Sequence, residues 1–157
     1  MAFDYPSPEN RYLLTHSHLL CDCFNRLTGR HLIQSFPSDE ARAKALFHAQ
    51  FAVLSHDVAD DPILTYANLT ALKLFELSWD ELIVMPSRYT AKPVDRLARQ
   101  ALLEAVNLQG FSSDYSGIRI SKTGREFQIN DATVWNLIDN EGNYQGQAAT
   151  FSEWRFL

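Results

Sequence analysis

Apolar residues along this chain recur at two spacings, every three to four residues and every second residue, and the changes of spacing divide it into elements. Ser7-Pro8-Glu9 reads as a helix start: Ser as cap, Pro at the first helical position, an acid at the positive end of the dipole. Leu13, Leu20, Phe24 and Leu27 follow at helical spacing and Gly29 supplies a stop, which predicts a helix from Pro8 to Leu27. Ser38-Asp39-Glu40 opens a second helix with Ala41, Ala45, Leu46 and Ala49 on one face. Phe51–Ser55 and Ile63–Ala67 read as short strands on either side of the acidic turn His56 to Pro62. Asn68 caps a helix bearing Leu69, Leu72 and Phe75. Ser78-Trp79-Asp80-Glu81 is a capping box, with Leu77 and Leu82 at the spacing of its hydrophobic staple. After an irregular stretch from Met85 to Lys92, Val94, Leu97, Ala101, Ala105 and Leu108 trace one stripe of a longer helix that Gly110 ends.

Beyond Gly110 the period becomes two, and Phe111–Ile120, Arg125–Asp139 and Tyr144–Trp154 are strand candidates. Ser121 to Gly124 and Asn140 to Asn143 are the intervening turns. Phe127, Ile129, Trp135 and Leu137 share one parity, which marks the expected core face. Phe111 and Tyr115 are out of phase with Ile118 and Ile120, which calls for a bulge near Ser116-Gly117. Strands joined by hairpins run antiparallel, and the two earlier strands must enter the same sheet to bury their faces. The expected fold is α+β: a five-stranded antiparallel sheet with helices on one face. Residues 1–50 form an added helical extension and residues 51–157 the domain proper, the two making one structural unit.

A length of 157 residues is about one domain, and 46% hydrophobic content suffices for a core without disulfides or metals. No apolar run approaches the roughly 20 residues of a membrane span. Nineteen acids against 14 scattered basic residues leave a net charge of −5, which argues against nucleic acid as a partner. The opening MAFDYPSPEN lacks the basic and apolar regions of a secretory signal, and two Cys make no disulfide framework. A cytoplasmic location is the expectation.

The order of elements, together with DPILTYANLTALKLFELSWDEL, resembles a PAS domain. More narrowly, FAVLSHDVADDPILTYAN, MPSRYTAKPV, GFSSDYSGIRISKTGREFQI and ATVWNLIDNEGNYQGQAATFSEW resemble the MEKHLA family, found in bacteria and at the carboxyl end of some plant homeodomain-leucine-zipper regulators. The MEKHLA string itself, a feature of the plant members, does not occur here. The resemblance implies a sensory or regulatory module and brings no catalytic residues with it. It also bears on cofactors. Flavin photosensors of this fold use a cysteine in mid-domain, whereas Cys21 and Cys23 precede Phe51; haem members commonly use a His on the long helix, which here has none. Both routes are disfavoured, while a non-covalent flat ligand remains compatible with the sequence.

Leu72, Phe75, Phe111, Tyr115, Phe127, Ile129 and Trp135 are the candidate pocket residues, with Asn130, Thr133 and Gln147 as polar partners. The competing reading is that the rings fill the space themselves, because interiors pack near 0.74 density and leave few voids. His16, His18, Cys21 and Cys23 are spaced poorly for one metal ion, since helical residues two apart diverge. Asp57, Asp60 and Asp61 lack the glycine and terminal Glu of a calcium loop. No catalytic motif is present, and the expectation is a non-enzymatic module that binds a small molecule or a regulatory protein. Two alternatives stand beside it: a small lyase or isomerase using Asp114, Asp131 or Glu126, and a purely structural dimerisation domain. A homodimer is expected through Leu13, Leu20, Phe24 and Leu27, because the first helix carries more apolar residues than one stripe needs. The sheet parity holding Val134, Ile138, Ala148 and Trp154 would otherwise be left open.

Overall fold

The computed structural model describes residues 3–157, the side chains of Pro93 and Val94 excepted. Helices α1 (Leu14–Thr28) and α2 (Asp39–Phe47) lead into strands β1 (Ala52–His56) and β2 (Leu64–Ala67). Helices α3 (Leu69–Phe75), α4 (Trp79–Leu82) and α5 (Pro93–Gln109) follow, then strands β3 (Phe111–Ile120), β4 (Glu126–Ile138), β5 (Tyr144–Phe151) and β6 (Glu153–Phe156). The strands form one antiparallel sheet in the order β2-β1-β5-β4-β3. The expected last strand breaks at Ser152, so β5 pairs with the second half of β4 and β6 with Phe127–Asn130 in its first half.

Local signals set most of the boundaries. Ser78 and Glu81 close the capping box of α4. Asn68 is fully buried and meets four backbone groups: its Oδ1 accepts from Ala71 and Val53, and its Nδ2 donates to Leu46 and Phe51 carbonyls. One side chain thereby caps α3, fixes the start of β1 and ties in the end of α2. The amino terminus departs from the expected single helix. A 3-10 turn over Pro8–Asn10 is followed by three residues with positive φ, Arg11, Tyr12 and Leu13, before α1 begins. The break buries Tyr12 against Phe47 of α2, which a continuous helix would not.

The two faces of the sheet carry different helices. Helix α1 lies across one face, where Phe24 meets the Trp135 ring edge-on at 4.9 Å and the indole donates to the Leu20 carbonyl at 3.2 Å. Helix α2 packs on α1 in turn, with Arg42 bonded to Asp22 and His18. This accounts for the excess of apolar residues on the first helix: its second side meets α2. Leu20 and Phe24 are buried in their own chain, and Leu13 and Leu27 pack partly buried against the same core, so the stripe expected to face a second copy is turned inward. Helices α3 and α5 cover the opposite face, through Phe75 on Phe127 and through Asn136 and Gln147, which donate to α5 carbonyls. Of the supposedly open parity, Val134 and Ala148 are buried and Ile138 and Trp154 are half-buried.

Two bulges decide which side chain faces which helix. Asp114 and Asp131 both adopt positive φ, and the β3–β4 register slips around Tyr115. The bulge in β3 therefore lies at Asp114, slightly ahead of Ser116-Gly117. The one at Asp131 reverses the parity of β4. Before it, Phe127 and Ile129 face α3 and the interior beneath α5; after it, Val134 and Asn136 do, while Trp135 turns to α1. The single-parity core face read from the sequence is thus two half-faces on opposite sides.

Helix α5 is also turned relative to its sequence pattern. Leu97 and Leu108 are 80% and 88% exposed, and Ala101 and Ala105 face solvent too. Val94, the first residue of that stripe, lies outside the described side chains. The sheet-facing stripe is Arg99, Leu102, Leu103 and Val106, again at helical spacing. Its bulkier branched residues bury more area than the alanines, and the Asn136 and Gln147 hydrogen bonds fix the rotation.

Candidate functional site

Beneath α5 the packing leaves a small, partly open space of about 50 Å³. Its floor is Leu54 and His56 of β1, Ile129, Ala132 and Val134 of β4, and Gln147, Ala149 and Phe151 of β5. Phe75, Ser87, Thr90 and Tyr115 and Arg119 of β3 line its sides, and Arg99, Leu102 and Leu103 form the roof. Local backbone chemistry sets these positions. Gly146 has φ +131 and lies so close to β1 that a Cβ there would stand 1.9 Å from the His56 carbonyl oxygen, which brings Gln147 opposite His56. Gly117 leaves room for the Tyr115 ring, whose hydroxyl a Cβ would strike.

A second cleft of about 330 Å³ adjoins this space and shares His56, Arg99, Leu103 and Gln147 with it. These four residues form the partition between the inner space and the outer cleft. Arg88, Arg96, Asp60, Asp61 and Glu104 line the outer cleft. The partition is polar and incompletely paired. His56 is 8% exposed, and its Nδ1 bonds the Asp57 carbonyl at 2.9 Å while its Nε2 has no partner. Burial is the main cause holding its pKa below the ordinary value; the Asp57 carbonyl bond opposes this, the nearby Arg99 charge adds to it, and the Asp57 charge and the Gln147 side chain oppose it more weakly. Arg99 bonds the Ser87 hydroxyl, and burial pulls its pKa down to about 10, with Arg119 and Arg96 adding to the effect. Among the described residues no carboxylate lines the inner space.

The sequence profile of the MEKHLA domain matches residues 14–156. This chain belongs to the MEKHLA family. Plant relatives include the homeobox-leucine zipper protein REVOLUTA of Arabidopsis thaliana, 26% identical over 160 residues covering 96% of this chain and 19% of that protein. Another is homeobox-leucine zipper protein HOX10 of Oryza sativa subsp. indica, 25% identical over 91% of this chain and 17% of its own length. The chain thus spans under a fifth of the curated relatives it matches. Among solved structures it is similar to a PAS domain from Colwellia psychrerythraea, with TM-score 0.61, 20% identity and coverage of 74% and 93% of the two chains. The blue-light photoreceptor Aureochrome1 LOV domain superposes with TM-score 0.56 at 24% identity, over 79% and 88% of the two chains. The MEKHLA domain therefore has the PAS-like α+β fold.

In this MEKHLA domain Phe75, Tyr115 and Ile129 line the inner space, as does Gln147. Phe127 sits at its edge on Phe75, Leu72 is buried in the core, and Phe111 is half-buried at the start of β3. Trp135 is on the other face of the sheet, a consequence of the Asp131 bulge. Thr133 accepts from Arg30 on that face, and Asn130 bonds Gln128. Asp114 and Asp131 are exposed at their bulges and Glu126 pairs with Lys92, so the carboxylates of the enzymatic alternative lie away from the interior. Cys21 and Cys23 belong to α1, across the sheet; Cys23 bonds the Ile138 backbone, and burial pushes the Cys21 thiol up to about 12. Asp57 organises its loop by accepting from Ala59 and Ile63, and Asp61 holds Arg88. Sequence reasoning missed His56, Arg99 and Arg119. The available signal was the stripe Arg99-Leu102-Leu103-Val106, an arginine placed among the buried positions of a helix. Among the described residues, no helix is long and apolar enough to cross a membrane.

Proposed function

We propose that this MEKHLA domain is a non-enzymatic sensory module whose ligand enters beneath α5, and that α5 passes the binding event on by association with a partner protein or a second copy. The observation that carries the reading is the partition of His56, Arg99, Leu103 and Gln147 between a small inner space and a wider outer cleft. A buried polar group without a partner is costly, and His56 Nε2 is such a group at the point where a ligand would pass. Helix α5 suits the output role. Val106 is its one fully buried side chain among those described, so little apolar packing opposes its displacement. At about 50 Å³ the inner space is near a third of the ~150 Å³ cavity that holds benzene, so a flat tricyclic ligand does not fit and a ligand of benzene's size extends into the adjoining cleft.

A fragment screen by amide NMR on the full chain tests this. Binding fragments are expected to shift α5 and the facing residues of β1 and β5, and Ala132→Phe, which fills the interior, is expected to abolish those shifts. Fragment shifts confined to other surfaces, or unaffected by Ala132→Phe, would overturn the proposal.

A further inference from the structure

The surroundings of α5 gather four arginines, Arg88, Arg96, Arg99 and Arg119, with Asp60, Asp61 and Glu104 lining the outer cleft and no carboxylate lining the inner space among the described residues. Arg88 pairs with Asp61. Among the described residues the other three have no carboxylate partner. Arg96 donates to the Ala91 carbonyl and lies over the Tyr89 ring; Arg119 donates to the Ile118 carbonyl and the Tyr115 hydroxyl. Arg99 is the most enclosed, with the Ser87 hydroxyl as its neutral partner. A guanidinium withdrawn from water without a counter-charge is unfavourable, and like-charged neighbours deepen the deficit. Its environment therefore calls for an anion. Even with its pKa drawn down to about 10 by burial, Arg99 stays charged at neutral pH.

His56 adds a second requirement. A carbonyl oxygen can only accept, so the bond to Asp57 O puts the proton on Nδ1 and leaves Nε2 as a bare acceptor. This acceptor makes no hydrogen bond and its residue is more than nine-tenths buried; the Gln147 side chain lies beside the ring but directs its amide N–H groups to the Leu103 carbonyl and to Asn136 Oδ1. A plain carboxylate would satisfy Arg99 and present only lone pairs to Nε2. A ligand carrying both an anionic acceptor and a neutral donor would satisfy both.

We propose that the space beneath α5 and the cleft adjoining it together take a small aliphatic hydroxycarboxylate, its short carbon chain in the inner space against Ile129, Ala132 and Val134, its carboxylate held by Arg99 and Arg119, and its hydroxyl donating to His56 Nε2 where the two spaces meet. The proposal rests on the ligand-binding reading above and narrows it to one chemical class. Guanidinium and carboxylate match in geometry and charge, and a site built to bond a hydroxyl discriminates strongly against an analogue lacking one.

Calorimetric titration of the full chain with 2-hydroxybutyrate, 3-hydroxybutyrate, butyrate and 1,2-butanediol tests it. At least one hydroxybutyrate is expected to bind tenfold or more tightly than butyrate, and the diol not at all. Arg99→Met is expected to weaken the hydroxybutyrate at least tenfold. His56→Leu is expected to erase the preference for hydroxybutyrate over butyrate, a ratio that a general loss of fold would not move selectively. Butyrate binding as well as both hydroxybutyrates would overturn the role given to His56. The diol matching the hydroxyacids would overturn the anion requirement while leaving the interior as a ligand site. Failure of all four probes, with fragments still binding beneath α5, would overturn the hydroxycarboxylate assignment alone; failure of fragments too would remove the site itself.

Discussion

Position 146 shows how one residue can set a site without contributing a side chain to it. Gly146 lets β5 approach β1 so closely that any Cβ would enter the His56 carbonyl, at a backbone φ that other residues rarely adopt. Both partners are backbone, so neither can rotate away. Gly146→Ala is expected to lower unfolding stability by about 2 kcal/mol or more, read from urea denaturation, because overpacking and strain act together. An unchanged midpoint would show that the two strands separate at no cost. Asp131 works by the same kind of local conformation. Its positive φ inserts one extra residue into β4, and every later side chain changes face. Nothing in an aspartate within an alternating run marks this, since aspartate is as common in turns and on exposed strand faces.

At the scale of elements, α1 and α5 contrast. Helix α1 is held on both sides, by the sheet through Leu20, Phe24 and Trp135 and by α2 through Arg42 and Asp22. Phe24→Ala removes a ring that is 3% exposed and packed edge-on to Trp135. It is expected to cost about 3–5 kcal/mol in urea unfolding. The loss should be the same at every protein concentration; a concentration-dependent midpoint would show that α1 is shared between copies, because dimer stability is inseparable from protomer concentration. Helix α5 is held by backbone-directed hydrogen bonds from Asn136 and Gln147 more than by apolar area. The sequence shows α5 as an element but not its rotation, since two stripes satisfy the same period.

For the whole molecule, the buried histidines make stability depend on pH. His16 stacks near Phe3 and Tyr66, with its Nε2 3.0 Å from the Ser55 hydroxyl, and burial lowers its pKa from 6.5 to about 4. Burial lowers the pKa of His56 as well. Between those limits the unfolded chain binds protons that the folded chain does not, so stability is fully present above about pH 6.5 and is lost as pH falls toward 4. Since the His16 ring is not wholly enclosed, its share is set on the order of 2 kcal/mol. Urea midpoints are expected to fall between pH 7 and pH 5, and His16→Gln is expected to flatten the slope. A wild-type stability unchanged over that interval would contradict the burial of both imidazoles in neutral form.

Much of the architecture was legible in the chain because its signals are local. The capping box at Ser78, the Asn68 cap, the glycine stops and the change of period from helix to strand act within a few residues of where they stand. They fix the element order, and with it the α+β class and the PAS-like resemblance. The faces were not legible. Strand parity beyond Asp131, the rotation of α5 and the packing of α1 beneath α2 each depend on contacts between residues far apart in sequence. The candidate site inherits this limit: Tyr115 and Ile129 fall where apolar alternation puts them, whereas His56, Arg99 and Arg119 meet only because β1, α5 and β3 are folded together. An unpaired cation or an orphan imidazole nitrogen is a property of surroundings, and the sequence specifies those surroundings only through the tertiary fold.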